Sequence, residues 1–191
     1  MSKILKVGFD LDGVILYNPV RIFRSLAKKF LKPIKASFLH QNKDSFYFPN
    51  SSFEQLLWKI LHKTSFRINT SFDDIKKLSK NKKIKMYLIT GRYSFLEQDY
   101  SNWLEKIGAK KIFTRCYYNK TNQQPNEFKE NMIKKLKLDI YVEDNWDIIE
   151  KLNHHTNAQI FWLTNILDRN IPYQLKFSSL QEVYRYLKKL V

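Results

Sequence analysis

The sequence predicts an α/β fold: a mostly parallel sheet of about five strands flanked by helices, with a small helical cap inserted after the first strand. Three observations predict it. Short apolar runs alternate with stretches of helical periodicity, the pattern of strands covered by helices. The excursion between the first two runs is too long for a plain strand-to-strand connection. The length, 191 residues, suits one α/β domain carrying a small insertion.

The strands are expected at Ile4 to Phe9, Ile84 to Ile89, Lys111 to Arg115, Asp139 to Val142 and Ala158 to Leu163. Between them, Phe95, Leu96, Trp103, Leu104 and Ile107 share a helical face that Gly108 stops. Phe128, Met132, Ile133 and Leu136 mark a second helix, and Ile148, Ile149 and Leu152 a third. Leu180 to Leu190 reads as an amphipathic closing helix.

In the excursion, Asn18-Pro19 has the form of an N-cap followed by proline at the first helical position, ahead of Val20, Phe23, Leu26, Ala27 and Phe30. Ser51-x-x-Glu54 is a capping-box pattern before Phe53, Leu56, Leu57, Ile60 and Leu61. Ser71 is placed to cap a helix through Ile75 and Leu78. The expected division is a core of residues 1–17 and 71–191 with a cap of residues 18–70.

Composition narrows the class. Hydrophobic residues make up 43% and charged residues 27%, an ordinary globular balance and not that of a disordered chain. Cys116 is the one cysteine, so an intramolecular disulfide is excluded, which fits a reducing cytoplasm. It reads as filler beside a strand. The N-terminal apolar segment is too short for a signal-peptide core, and no apolar run approaches the ~20 residues that span a bilayer. A cytoplasmic location with no membrane partner is expected.

The net charge of +16 draws anions, including nucleic acid, nucleotides and acidic lipids. A lysine-rich, asparagine-rich proteome gives the same number without any ligand, and the lysines are scattered in short clusters such as Lys82-Lys83 and Lys134-Lys135.

Four places carry chemistry. Asp10 and Asp12 follow the first apolar run, where ligands bind in an open α/β sheet. One carboxylate can attack phosphorus, and the other can protonate the leaving oxygen and later accept a proton from water. Gly13 lets the backbone turn after them. Thr90-Gly91-Arg92 ends the second run and is expected to open a helix, whose free N–H groups suit phosphate. Glu143, Asp144 and Asp147 follow the fourth run, and clustered acids there call for a cation such as magnesium. Asp10, the main-chain carbonyl of Asp12, and Asp144 could hold it. A lysine near the start of the helix before that run could neutralise a transferring phosphoryl group. Lys129 is the choice, with Lys120 and Lys134 as rivals.

In this order the motifs resemble those of the haloacid dehalogenase superfamily. Asp10-x-Asp12-Gly13-Val14 looks like its first motif, Thr90 its second, Lys129 its third and Glu143-Asp144 its fourth. The resemblance covers the whole chain, and residues 18–70 stand where the family carries a helical cap on its Rossmann-like core. It implies Asp10 as nucleophile and metal ligand, and Asp12 as general acid/base with its carbonyl on the metal. It further implies Thr90, Gly91 and Lys129 as phosphate-binding residues, and Asp144 as a magnesium ligand. Glu143 departs from the Gly or Asp of many members, leaving it as ligand or supporting acceptor. An acid at position 12 argues for phosphate chemistry, since the family's dehalogenases lack one there.

The compact size, short cap and Ile-Tyr-Val-Glu-Asp-Asn ending are similar to the 5′(3′)-deoxyribonucleotidase-like branch. The expected function is therefore a magnesium-dependent phosphomonoester phosphatase or nucleotidase working through an aspartyl phosphate on Asp10. The alternatives are a nucleic-acid end phosphatase recruited by the basic surface and a non-catalytic binder on the same scaffold. Phe46, Tyr47, Phe48, Trp58 and Arg67 are candidates for substrate selection or for cap packing. His154-His155 reads as a surface pair, because adjacent side chains on a helix point apart.

Overall fold

Every strand of the main sheet runs parallel, and the chain enters it at the centre. A computed structural model describes residues 3–19, 45–168 and 170–191. The strands are β1 (Leu5–Phe9), β4 (Ile84–Tyr93), β5 (Arg115–Asn119), β6 (Ile140–Glu143), β7 (Gln159–Leu163) and β8 (Lys176–Phe177). Their order is β5-β4-β1-β6-β7-β8. The short edge strand β8 brings the sheet to six strands where about five were expected. Two further short strands, β2 (Leu16–Tyr17) and β3 (Arg67–Ile68), form an antiparallel ribbon. The ribbon clasps the two ends of the excursion, with Leu16 opposite Ile68 and Tyr17 opposite Arg67.

The helices are α1 (Ser52–His62), α2 (Phe72–Leu78), α3 (Glu97–Lys106), α4 (Pro125–Leu136), α5 (Trp146–His155) and α6 (Leu180–Leu190). Side chains alternate across a strand, and here both faces are buried. Val7, Phe9, Met86, Leu88, Ile140, Val142, Phe161 and Leu163 pack with α2, α3 and α6 through Phe72, Ile75, Trp103, Leu180, Val183 and Leu187. Tyr87, Ile89, Tyr141, Ile160 and Trp162 point the other way and meet Phe128, Met132, Ile148, Ile149 and Leu152 of α4 and α5. This two-sided burial explains why the strands read as apolar runs.

Caps fix the helix starts. Ser51 and Glu54 form the expected capping box on α1. Ser71 stands at the N-cap of α2 without a side-chain cap bond; instead Asn69 Oδ1 accepts from the Ser71 N–H at 3.0 Å. Gly108 ends the α3 region in the left-handed conformation, φ 65°, which costs glycine little. The helix expected after Asn18-Pro19, with Val20, Phe23, Leu26, Ala27 and Phe30, lies outside the described residues. The apolar side chains Phe53, Leu56, Leu57, Ile60 and Leu61 of α1 are exposed.

Two expectations are corrected. The third strand is Arg115–Asn119, not Lys111 to Arg115. Lys111 closes a 3-10 turn, and Phe113 is buried in the core from the loop, against Phe9 and Phe72. An apolar pair packed from a turn imitates a short strand in sequence. The second correction concerns Thr90-Gly91-Arg92, which does not open a helix. β4 continues to Tyr93, a 3-10 turn follows, and α3 begins at Glu97. Pairing with β5 holds the strand on: Thr90 faces Tyr118 and Tyr93 faces Asn119, so Gly91 and Arg92 form a bulge.

Candidate active site

The strand order turns at β1, whose neighbours β4 and β6 both come later in the chain. In such sheets ligands bind beyond the carboxyl ends of the strands, at that switch point. Asp10 and Asp12 follow β1, Thr90 lies near the end of β4, and Glu143 ends β6. Phe9 pairs with Leu88 and Val142, which places Thr90 and Glu143 beside the two aspartates.

The turn after β1 is rigidly tied. The Asp10 N–H donates to Val142 O at 3.0 Å, and Gly13 takes φ 86°, a conformation that disfavours any side chain. Gly13 N–H and Leu16 N–H then close a compact loop onto Leu16 O and Leu11 O. Asp10 and Asp12 are buried.

Lys129 projects from α4 into this centre. Its Nζ lies 3.0 Å from Asp10 Oδ1 and 2.6 Å from Glu143 Oε2, and all three side chains are at most 2% exposed. Of its rivals, Lys134 pairs on the surface with Glu130 and Lys120 is exposed. Glu143 is fully occupied: its other oxygen accepts from the Asp144 and Asn145 main-chain N–H groups at 3.2 and 3.0 Å. It thereby fixes both the lysine and the loop bearing Asp144. Asn145 caps α5 through the Asp147 N–H; Asp147 itself is half-buried at the start of that helix.

Asp10, Glu143 and Asp144 each offer an oxygen, all within 4.8 Å of one another. Three carboxylates against one ammonium leave net negative charge, and hard oxygen donors at this spacing fit a magnesium-sized cation. With Glu143 committed to Lys129 and the loop, Asp10 and Asp144 are the side chains best disposed to hold it.

Thr90 is buried, and its hydroxyl accepts from the Arg92 N–H at 3.4 Å. Gly91 has a packing reason for being glycine. A Cβ there would stand 2.8 Å from Pro125 Cβ at the first turn of α4. The helix that carries Lys129 thus seats directly against the Thr90-Gly91 segment.

Arg92 is a site residue that no local sequence motif announces. In the structure its guanidinium is buried and grips Asp12 with two bonds, Nε to Oδ2 and Nη2 to Oδ1, both 2.8 Å. Nη1 pairs with Asp99 of α3. Burial opposes its charge, but Asp12 and then Asp99 outweigh burial and hold the guanidinium above its ordinary pKa. Asp12 also accepts from Ser65 Oγ at 2.8 Å, and His62 Nδ1 lies 3.9 Å from Asp12 Oδ2. The one sequence signal for Arg92 was a buried acid pair in need of a counter-charge.

The aromatic candidates gather nearby. Phe48 meets Tyr93 edge-on at 4.9 Å, Tyr47 lies against Trp58, and Trp58 against His62. Phe46 is clasped through its backbone by the Gln124 amide at 2.7 and 3.3 Å. Arg67 lies over the Tyr17 ring at 4.3 Å, so it packs on the ribbon. His154 and His155 are exposed at the end of α5. Cys116 is half-buried on β5, its thiol pushed up by burial to about 11.

No protein-family model matches the chain, and no curated protein matches it. Solved structures do. A Clostridium acetobutylicum protein described as a predicted phosphatase superposes with TM-score 0.63 at 12% identity, over 98% of this chain and 100% of its own. A Bacillus subtilis protein described as a HAD-hydrolase, bound to magnesium, gives 0.62 at 13%, over 98% and 100%. A chain of the Pnkp1/Rnl/Hen1 RNA repair complex gives 0.51 at 14%, over 86% of this chain and 45% of its own. The fold is that of the haloacid dehalogenase superfamily. Within this haloacid dehalogenase-type fold, Asp10, Asp12, Thr90, Lys129 and Asp144 stand at one end of one parallel sheet. Among the described residues, no helix is long and apolar enough to cross a membrane.

Proposed function

We propose that this chain is a magnesium-dependent phosphohydrolase acting on small phosphomonoesters through an aspartyl phosphate on Asp10. The observation that carries the reading is the buried Asp10–Lys129–Glu143 group, with Asp144 beside it, at the switch point of the sheet. A carboxylate held beside an ammonium, in a site with room for a cation, suits attack on a dianionic phosphate better than any structural role, since ion pairs this deeply buried seldom add net stability.

Asp10 attacks phosphorus, forming one P–O bond as the ester P–O bond breaks, and Asp12 gives the leaving oxygen its proton. Water then attacks the aspartyl phosphate, Asp12 takes the water's proton, and phosphate leaves with Asp10 restored. Lys129, the Thr90 hydroxyl and the Gly91 N–H bind the phosphoryl oxygens and stabilise the charge developing on them. Asp10, the Asp12 carbonyl and Asp144 would hold magnesium, which would supply positive charge to the transferring group. The excursion of residues 18–70 acts as a cap, and Tyr47, Phe48 and Trp58 there would favour an ester bearing a ring, such as a nucleotide.

A second reading, a phosphatase for nucleic-acid ends, is supported by the +16 charge and the likeness to the RNA repair chain. It requires binding to single-stranded nucleic acid that weakens steeply with salt. The primary test is hydrolysis of an aryl phosphate with and without magnesium, beside Asp10→Asn. Metal-dependent turnover that vanishes in the variant is expected; wild-type turnover in Asp10→Asn sinks the mechanism.

A further inference from the structure

We infer that Arg92, braced by Asp99, is a positioning residue that aims the Asp12 carboxyl at the leaving oxygen. The inference rests on the phosphohydrolase reading, in which Asp12 serves as the acid.

The geometry is that of a fork. Two guanidinium nitrogens meet the two oxygens of Asp12 at 2.8 Å each, which fixes the plane of the carboxyl as well as its place. The fork in turn has little freedom. Its side chain is 1% exposed, and its third nitrogen is tied to Asp99 on α3. The bulge explains how a strand residue reaches this position. Gly91 and Arg92 are extra residues between the Thr90–Tyr118 and Tyr93–Asn119 pairs, and bulges commonly re-aim a side chain. Asp12 lies beyond the end of β1, on a turn, where the fork and the Ser65 hydroxyl hold its carboxyl, with His62 Nδ1 3.9 Å from Oδ2.

A carboxyl that donates a proton in the transition state must face the departing oxygen, and such a donor contributes about 100-fold or more to an ester whose alcohol leaves poorly. Nitrophenolate leaves without a proton and gains little from it. Misaiming Asp12 therefore has a signature that general loss of structure does not share.

The experiment compares nitrophenyl phosphate with a simple alkyl phosphate in wild type, Arg92→Lys and Asp99→Asn, all with magnesium. Arg92→Lys keeps the charge and removes the fork. Hydrolysis of the aspartyl phosphate is common to both esters, so the comparison is read in kcat/KM, which reports phosphoryl transfer to Asp10. The alkyl ester is expected to lose about 100-fold and the nitrophenyl ester less than about tenfold. Asp99→Asn should show the same bias to a smaller degree. It lies partly exposed on α3, so it decides the matter if Arg92→Lys fails to fold. Equal losses for both esters, or no loss, overturn the positioning role while leaving the phosphohydrolase reading intact. A wild type that hydrolyses neither ester overturns both.

Discussion

Lys129 and Asp10 form a buried ion pair, Nζ to Oδ1 3.0 Å, between a helix and the turn after the central strand. Glu143 closes the group from the other side at 2.6 Å. The pair joins stability to chemistry, because the same ammonium that would meet a phosphoryl group also serves as counter-charge to two buried acids.

Lys129→Met is therefore expected to do two things. It leaves Asp10 and Glu143 buried without their cation, which costs about 3–5 kcal/mol. Urea unfolding at neutral pH measures that loss, and turnover should fall with it. An unchanged urea midpoint would show that the acids find another partner.

Magnesium should stabilise the folded chain apart from any turnover. A ligand bound only by the folded state at a hundred times its Kd adds about 2.7 kcal/mol. The thermal midpoint should rise in magnesium, by about 2–4 °C per kcal/mol for a chain of this size. Asp144→Asn should abolish most of that rise. An equal rise in the variant would place the ion elsewhere.

Gly91→Ala should destabilise by about 1–3 kcal/mol, because its methyl would stand 2.8 Å from Pro125 Cβ. Either the Thr90 segment or the start of α4 must shift, and α4 carries Lys129. Thermal unfolding and turnover per folded molecule should both fall. Unaltered stability would mean that Pro125 yields freely.

Acid should weaken the entry of the chain into the sheet. Burial raises the Asp139 carboxyl, but hydrogen bonds from the Lys3 ammonium and the Lys6 N–H, with both lysine charges, pull it lower still, so its net shift is downward. A carboxyl lowered by folding contributes stability above its unfolded-state pKa and loses it as pH falls through the folded-state one. The contribution is fully present at neutral pH and begins to be lost only below about pH 4. Asp139→Asn should be less stable than wild type at pH 7, with the gap in urea midpoint narrowing as the pH is taken progressively below about 4. A gap that persists in acid would count against the charge.

What the sequence made legible follows distance along the chain. Asp10, Asp12 and Gly13 were readable because strand, acids and turn are contiguous. Glu143 and Asp144 follow a strand in the same way. Lys129 could be chosen only among three lysines, since its partners lie on other elements. Arg92 is illegible for the same reason: its role comes from a bulge and from acids on two other segments. Thr90-Gly91 imitates a helix start because nothing local announces that Tyr93 will pair with Asn119. Ile112 and Phe113 look like a strand, and only packing against Phe9 and Phe72 shows the turn.

The central place of β1 bears on how the chain comes to be made. Among the strands of this sheet β1 is made first, yet both of its neighbours, β4 and β6, follow much later. Its apolar side chains, and the acids at its end, must wait in an unfinished polypeptide until β6 has been synthesised. Such long-range pairing is slow and exposed to aggregation. A nascent chain stopped before α4 would lack both Lys129 and Glu143, so it would carry Asp10 without the group that tempers it. Synthesis of β6, which follows β4 and the helix bearing Lys129, is then the event that completes the group around the nucleophile.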